Sequence, residues 1–382
     1  MKLNGTQEQV ELIKKMGSAD KLVSMEAQSA FAAFMAAPLL AAIREANLVS
    51  DLYQDIEFDD TTNPTFPLDL YYNENYAGLL SIWSQTMSDG MATNLIDVPV
   101  KELQLQVYDL ASAVSFLKKH ALNGRLDVVA ASMSRFVDEF AHKQNVNGFN
   151  VLLGALANGA AKNGKSVSPG TSGSIQNVVR SSGATLQMKD ISDLMTRARR
   201  IKTSQFNGTP ASYKGIKGNQ LMVSPEVMGQ IREFAFNPVR TDSSAATTNS
   251  TDLPAGERAK IFASAGASEF FGLTVKELNE LGLSKPFNDM FDTYAGAISY
   301  LRLDGTNGST FTSASDEIII MVDPSSGALK RPVAINSDSK GQLLISPDDQ
   351  FSARTKKMGF YAELSEGYLC IDGRVLGGLM LG

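Results

Sequence analysis

The sequence predicts an α+β chain, and three observations predict it. Residues 126–158 carry an apolar stripe at helical spacing: Leu126, Val129, Met133, Phe136, Val137 and Phe140, continued by Val146, Phe149, Leu152, Leu153 and Leu156. Other segments alternate apolar and polar residues with a period of two, as strands do: Phe66, Leu68, Leu70 and Tyr72, and later Phe360, Ala362 and Leu364. Between these lie EIIIMV at Glu317–Val322, a strand stopped by Asp323-Pro324, and LMV at 221–223. The latter runs into Ser224 as N-cap and Pro225 at the first helical position.

Composition narrows the class. With 43% hydrophobic and 20% charged residues, the 382-residue chain is globular, long enough for two or three domains or one extended fold with excursions. A net charge of −6 without a basic block argues against sequence-specific nucleic-acid binding. Cys370 is the single cysteine, which rules out an intramolecular disulfide and a thiol zinc cluster and suits a reducing compartment. The opening MKLNGTQEQVELIKKMG lacks the apolar core of a secretory signal. The most apolar run, 30–43, holds Pro38 and falls short of the roughly 20 residues a bilayer-spanning helix needs.

Taken in order, Thr6 and Gln9 form a capping-box pattern ahead of Val10, Leu12 and Ile13, so a short helix opens the chain. A second helical stretch, rich in Ala and Met, covers 19–46, with Pro38 expected to kink or split it. These elements are too small for a core of their own and must dock on something. At Asp51 the character changes. Residues 51–100 are acidic, aromatic and turn-rich: Asp55, Glu57, Asp59 and Asp60 precede TTNP, Phe66 to Tyr72 alternate, and Trp83 lies ahead of SDGM. Alternation resumes in VPVKELQLQVYDL through Leu103, Leu105 and Val107. This reads as an excursion of strands that leaves the body and returns, its acidity and aromatics favouring contact with a neighbour.

Residues 111–121 read as helix and lead into the long one. At ~1.5 Å per residue that helix would be roughly 50 Å long. Gly148 and Gly154 each cost about 1 kcal/mol relative to Ala, so a bend or break is expected near Asn147. A Gly/Ser/Asn-rich loop follows over 159–183. Residues 190–202 form an amphipathic helix with Ile191, Leu194, Met195 and Ala198 on one side. Arg197, Arg199, Arg200 and Lys202 crowd its C-terminal end, where they complement the helix dipole and could meet phosphate or an acidic neighbour. A loop spans 237–256, a short helix is expected near 275–281, and strands near 298–303 and 343–345. The tail reads as a β-hairpin about Ser365-Glu366-Gly367.

The chemistry is sparse. His120 and His142 are the only histidines and have no partner cysteine. There is no HExxH and no GxSxG, no P-loop is expected, and no GxGxxG follows an expected strand. The acidic run 55–60 lacks the spacing and glycine of a calcium loop. No catalytic, cofactor-binding or metal-binding residue is assigned, although paired carboxylates that meet only in the fold stay open.

The order of elements resembles the major capsid proteins of tailed bacteriophages, the Hong Kong 97 type. The stretches that carry the resemblance are VPVKELQLQVYDLASAV entering the long helix, LLGALANGAAKNG leaving it, LMVSPEVMGQIREF, and ARTKKMGFYAELSEGYLCIDGRVLGGLML at the end. The resemblance covers essentially the whole chain through architecture, without one diagnostic motif. It implies an N-terminal arm at 1–50 reaching along adjacent subunits, an extended loop at 51–100 and a peripheral domain with a spine helix at 101–205. It implies further an axial domain at 206–349 and C-terminal strands at 350–382 returning to the peripheral domain.

The implied function is structural, not enzymatic and without cofactor. Copies would assemble into hexamers and pentamers and build an icosahedral virion head in the host cytoplasm, around double-stranded DNA held without sequence specificity and without a membrane. A separate scaffold protein, a portal and decoration proteins are the further partners implied. Candidate intersubunit contacts are Asp55, Glu57, Phe66, Tyr72, Trp83, Arg197, Arg199 and Arg200. No lysine occurs between Lys21 and Lys101, which argues against the lysine–asparagine crosslink some relatives make from the extended loop. Three alternatives stay open: an encapsulin-like shell around enzyme cargo, a phage tail or baseplate part, and a soluble hydrolase with unrecognised paired carboxylates.

Overall fold

The long stripe is one helix. In the computed structural model, residues 7–59, 65–69, 100–162, 177–181, 183–204, 218–236, 269–270, 272–303, 307–336, 342–348, 356–371 and 373–382 are described. They form two compact units: Met1–Pro67, Glu102–Phe149 and Leu329–Leu369 make the first, and Leu68–Lys101, Asn150–Ala328 and Cys370–Gly382 the second. The helix α4 (Leu126–Lys162) runs 37 residues without the break expected near Asn147. It supplies its residues up to Phe149 to the first unit and the rest to the second. Phe149, Leu152, Leu153 and Leu156 are fully buried. At about 2 kcal/mol per buried side chain, that burial outweighs the helix cost of two glycines. Gly148 is a packing requirement: a Cβ there would lie 2.5 Å from Val49 Cγ1, and Tyr53 donates its hydroxyl to the Gly148 carbonyl at 2.9 Å.

In the first unit, α1 (Gln7–Met16) and α2 (Lys21–Ala46) lie against a sheet. Asp20 caps α2, accepting from Leu22 N at 3.1 Å, and Pro38 sits inside the helix without splitting it. Both helices are built into this unit's core. Ile13 and Met16 of α1, and Phe31, Met35, Leu39 and Ile43 of α2, join Met133, Phe136 and Phe140 of α4 and the sheet residues Phe116 and Phe360. The Phe31 and Phe360 rings are 5.4 Å apart. The stretch 7–46 is therefore docked on its own chain through one face of each helix.

The sheet of this unit contains β1 (Gln54–Asp59), β4 (Tyr108–Leu117), β12 (Leu329–Ile335), β13 (Leu344–Asp348), β14 (Lys357–Glu366) and the short β15 (Leu369–Cys370). β1 runs parallel to β12, so the first part of the 51–100 stretch is a strand of the body. The pair that follows it is β2 (Thr65–Asp69) with β3 (Val100–Gln104). β4 falls where helix was expected. Its ladder to β14 is continuous from Lys357↔Leu117 to Glu366↔Tyr108, and it turns Leu110 and Phe116 inward while Ala111, Ala113 and Ser115 face out. Tertiary pairing overrides the weak strand preference of Ala and Ser. Only α3 (Lys118–Leu122) is helical there.

The second unit is built on a sheet ordered β5, β16, β11, β6, β8, β7. Its strands are β5 (Val178–Arg180), β6 (Gln220–Val223), β7 (Glu269–Phe270), β8 (Leu273–Glu277), β11 (Glu317–Val322) and β16 (Leu376–Leu381). β11 is buried along its whole length, between antiparallel β16 and β6. The expected short helix at 275–281 is instead β8, parallel to β6, with Leu273 and Val275 buried. The C-terminal hairpin does not form. β14 runs through Glu366 in the first unit's sheet, and β16 pairs with β11 and β5 here, all six of its residues buried. Helices α5 (Met188–Ser204) and α6 (Pro225–Phe236) cover the sheet, the latter opened by Ser224 Oγ accepting from Val227 N at 3.0 Å. α7 (Pro286–Ala295), unanticipated, sets Phe291 tilted against Tyr300 of β9 (Ser299–Leu301) and edge-on to Phe311, next to β10 (Asn307–Thr310).

Candidate functional site

Each unit is closed by a buried arginine–carboxylate cluster. In the first unit the cluster centres on Arg331 of β12, which is 2% exposed, and Glu366 at the end of β14, which is 0% exposed. Arg331 donates from Nε at 3.0 Å and Nη2 at 2.7 Å to Glu366 Oε2, which also accepts from Gln144 Nε2 of α4 at 3.0 Å. Tyr368 donates its hydroxyl to Glu366 Oε1 at 3.3 Å, and its ring lies under the guanidinium, 5.9 Å from centroid to Cζ. Gln144 in turn accepts from Asn47 Nδ2 at 2.8 Å, and Asn47 Oδ1 accepts from Val49 N at 2.9 Å. The end of α2, the middle of α4, β12 and β14 are thus tied through one ionic centre.

Burial is the largest influence on both charges and opposes them. It pushes the Glu366 carboxyl above the ordinary carboxylate range, against the pull of Arg331, Tyr368 and Gln144. The Arg331 guanidinium stays raised, because Glu366, Tyr368 and Asp55 together outweigh its desolvation. Three nitrogen donors converging on one oxygen are the geometry of an ionised carboxylate. Such a pair adds little net stability over an apolar replacement but is costly to break. Its reach to solvent runs through Asp55 of β1, whose Oδ1 lies 3.5 Å from Arg331 Nη1 and whose Oδ2 accepts from Arg44 Nη2 of α2 at 3.2 Å. Arg44 also donates to Gln342, which donates to Glu57 at 3.0 Å.

In the second unit Arg180 of β5 makes a two-pronged pair with Asp316, Nη2 to Oδ1 at 2.9 Å and Nη1 to Oδ2 at 3.2 Å. Thr312 N and Ser315 Oγ donate to the same carboxylate, and Arg180 Nε donates to the Gly382 carbonyl at 3.2 Å. Asn288 of α7 donates to the Asp316 carbonyl at 2.8 Å. β5, α7, the turn before β11 and the end of β16 therefore meet around one arginine–aspartate pair. Beside it, Glu317 is buried next to Ser224, its pKa raised by burial and by Glu226, with Ser224 pulling it back.

The contact candidates named from sequence separate. Asp55 and Glu57 sit on β1 with partners inside the chain. Phe66 lies on β2; Tyr72 and Trp83 fall outside the described residues. Arg197 is half-buried on α5, where desolvation lowers its pKa, and Arg199 and Arg200 follow it on the same helix. Arg331 and Arg180, which organise the buried clusters, were not anticipated. A lone arginine within LKRPVAI or VVR carries no signal until its carboxylate, distant in sequence, folds beside it. One pattern also needs placing: GAAKNGKS at 159–166 matches the spacing of a phosphate-binding P-loop. That loop requires a preceding strand, whereas here the first residues of the match are the last turn of α4 and the rest lie outside the described residues. Among the described residues no group of three or more His, Cys, Asp or Glu side chains is placed to hold a metal ion.

No family model and no curated protein matches the chain. Among solved structures it is similar to the bacteriophage PhiM1 mature capsid, at 12% identity and a TM-score of 0.47 over 87% of this chain and 86% of that one. It is similar in the same degree to the capsid of the cyanophage P-SCSP1u, at 12% identity and 0.47 over 87% of each chain. A third similar structure is the holo-SrpI encapsulin complex from Synechococcus elongatus, at 11% identity and 0.43 over 86% of this chain and 84% of that one.

Proposed function

We propose that this chain is the subunit of an icosahedral shell of the Hong Kong 97 type, and specifically of a phage head that encloses double-stranded DNA. The observation that carries the reading is α4, a single 37-residue helix that enters one compact unit and ends in another, each with its own sheet. The β2–β3 pair, which would be the root of the extended loop, is formed before that helix begins. On this reading the role of the chain is mechanical. The buried clusters hold each unit's strands in register, and assembly is made by surfaces between copies. Phe66, Tyr72, Trp83, Arg199 and Arg200 are the contact candidates that keep this role, while Asp55 and Glu57 act first within the chain.

Electron microscopy of the purified full chain, expressed alone and with its own neighbouring genes, tests the proposal. Closed icosahedral particles built from five- and six-fold capsomers are expected, with nuclease-protected DNA inside particles from infected or induced cells. Protein cargo in place of DNA would move the reading to an encapsulin-like shell. Rings or tubes would move it to a tail component, and a stable monomer with hydrolase turnover would sink it.

A further inference from the structure

The helix α2 has two apolar faces, and only one is used by the core. Ala27, Phe31, Met35, Leu39 and Ile43 are buried in the first unit. The opposite face exposes Phe34 at 54%, with Leu22 at 79% near its start and Ala30, Ala33, Ala37 and Ala41 exposed along the same side. Between Leu22 and Ile43 the only charged residue is Glu26. A helix whose free face faces water normally carries charges there, and one that is apolar all round is covered. The charges that frame this face are placed in a pattern. Glu26 and Arg44 are 44 − 26 = 18 residues apart, which is five full turns, so they lie on one line of the helix about 27 Å apart. The exposed alanines lie between them.

We infer that this face of α2 packs against the same face of a second copy of the chain, antiparallel and about a two-fold axis; the inference rests on the shell reading. In the register where paired residue numbers add to 70, Glu26 meets Arg44 of the second copy, twice by symmetry. Ala33 then meets Ala37 of the second copy at the centre. The small central side chains allow close approach, and opposite charges close both ends. Arg44 bonds Asp55 and Gln342 through Nη2 and keeps its side chain 45% exposed. The face measures roughly 40 Å by 10 Å, giving a total burial below the ~1,200 Å² of a self-sufficient interface. The contact therefore belongs to an assembly with several interfaces. By length and composition α2 is also apolar enough to cross a bilayer. Half of its circumference is committed to protein, however, and its rim carries acids as often as bases, unlike helices that lie on anionic membranes.

The test is site-directed crosslinking in the full chain with Cys370→Ser. Chains carrying Ala33→Cys are mixed with chains carrying Ala37→Cys, allowed to assemble, then oxidised. The expected result is a covalent dimer, at least about tenfold above Arg135→Cys chains treated alike, because a disulfide needs Cα atoms within about 7 Å. Phe34→Glu chains should stay folded by circular dichroism and assemble poorly. Particles that form without the crosslink overturn this inference and leave the shell reading standing. So does binding of the wild-type chain to phosphatidylserine vesicles that Phe34→Glu abolishes. A chain that never self-associates overturns both.

Discussion

Replacing Arg331 by leucine isolates the energetics of the first buried cluster. The substitution keeps side-chain bulk but strands the Glu366 carboxylate, leaving it Gln144 at 3.0 Å and Tyr368 at 3.3 Å as donors. Breaking one partner of a buried pair costs about 3–5 kcal/mol. The stranded carboxyl has an escape, since it can take up a proton. For an unfolded-state value near 4.3, protonation at pH 7 costs about 2.7 × 1.36, or ~3.7 kcal/mol, and at pH 5 only ~1 kcal/mol. The loss in Arg331→Leu is therefore capped near 4 kcal/mol at neutral pH and shrinks on acidification. The sign follows from the direction of the shift. Without Arg331 the folded-state pKa rises further above its unfolded value, so stability is retained below the unfolded pKa and lost as pH rises through the folded one. Urea titration read by hydrogen exchange on β12 and β14 peptides, at pH 7 and pH 5, reports the first unit alone. The double variant Arg331→Leu/Glu366→Leu should recover to within about 1–2 kcal/mol of the parent, since an apolar pair of similar bulk can replace a buried ionic one. A single variant whose deficit grows on acidification, or one no worse than the double, would refute the reasoning.

Other perturbations follow from the same contacts. Gly148→Ala should gain about 1 kcal/mol of helix propensity yet lose net stability, because overpacking against Val49 costs about 1–3 kcal/mol. Thermal unfolding should show Val49→Ala restoring part of the loss. Glu317→Gln should flatten the pH dependence of the second unit. The Glu317 pKa is raised by burial, so the parent loses stability as pH climbs above the ordinary carboxylate value, and the variant should not; parallel melts between pH 4 and 8 decide this. Asp55→Asn removes a 30% exposed carboxylate that pairs with Arg44 and with Arg331; because Arg331 keeps Glu366 as its counter-ion, global stability should change by only about 1 kcal/mol. It should nonetheless speed exchange in β1, whose six residues include none that is fully buried.

Much of the fold was legible before any coordinates. The stripe at 126–158, the run EIIIMV, the Ser224-Pro225 start of α6 and the amphipathic 190–202 segment all became the expected elements. Each is decided locally, by periodicity or by a cap that uses neighbours in sequence. The misreadings share a different cause. Tyr108–Leu117 holds Ala111 and Ala113, which locally favour helix, and only the ladder to β14 makes it a strand. The tail looked like a hairpin because both arms about Gly367 alternate, yet β14 pairs with β4 and β13, the short β15 after the turn pairs with β12, and the apolar β16 joins the other sheet. The break foreseen at Gly148 read the residue as a cost, when its lack of a side chain is what lets Val49 approach.

The candidate site divides along the same line. Charge at 55–60 and at the end of α5 was visible as composition, but composition does not tell a solvated face from an intrachain ion pair, and Asp55 proved to have Arg44 and Arg331 as partners. The sequence by itself determined the element types with strong local periodicity, the α+β class, and the scarcity of recognisable catalytic chemistry. The tertiary structure alone decided which strands share a sheet, that α1 and α2 dock on their own chain, and that Arg331 and Arg180 are buried centres. Those outcomes depend on pairing and desolvation between residues distant in sequence, such as Arg331 with Glu366 and Arg180 with Asp316, 35 and 136 positions apart, and no local propensity encodes such distances.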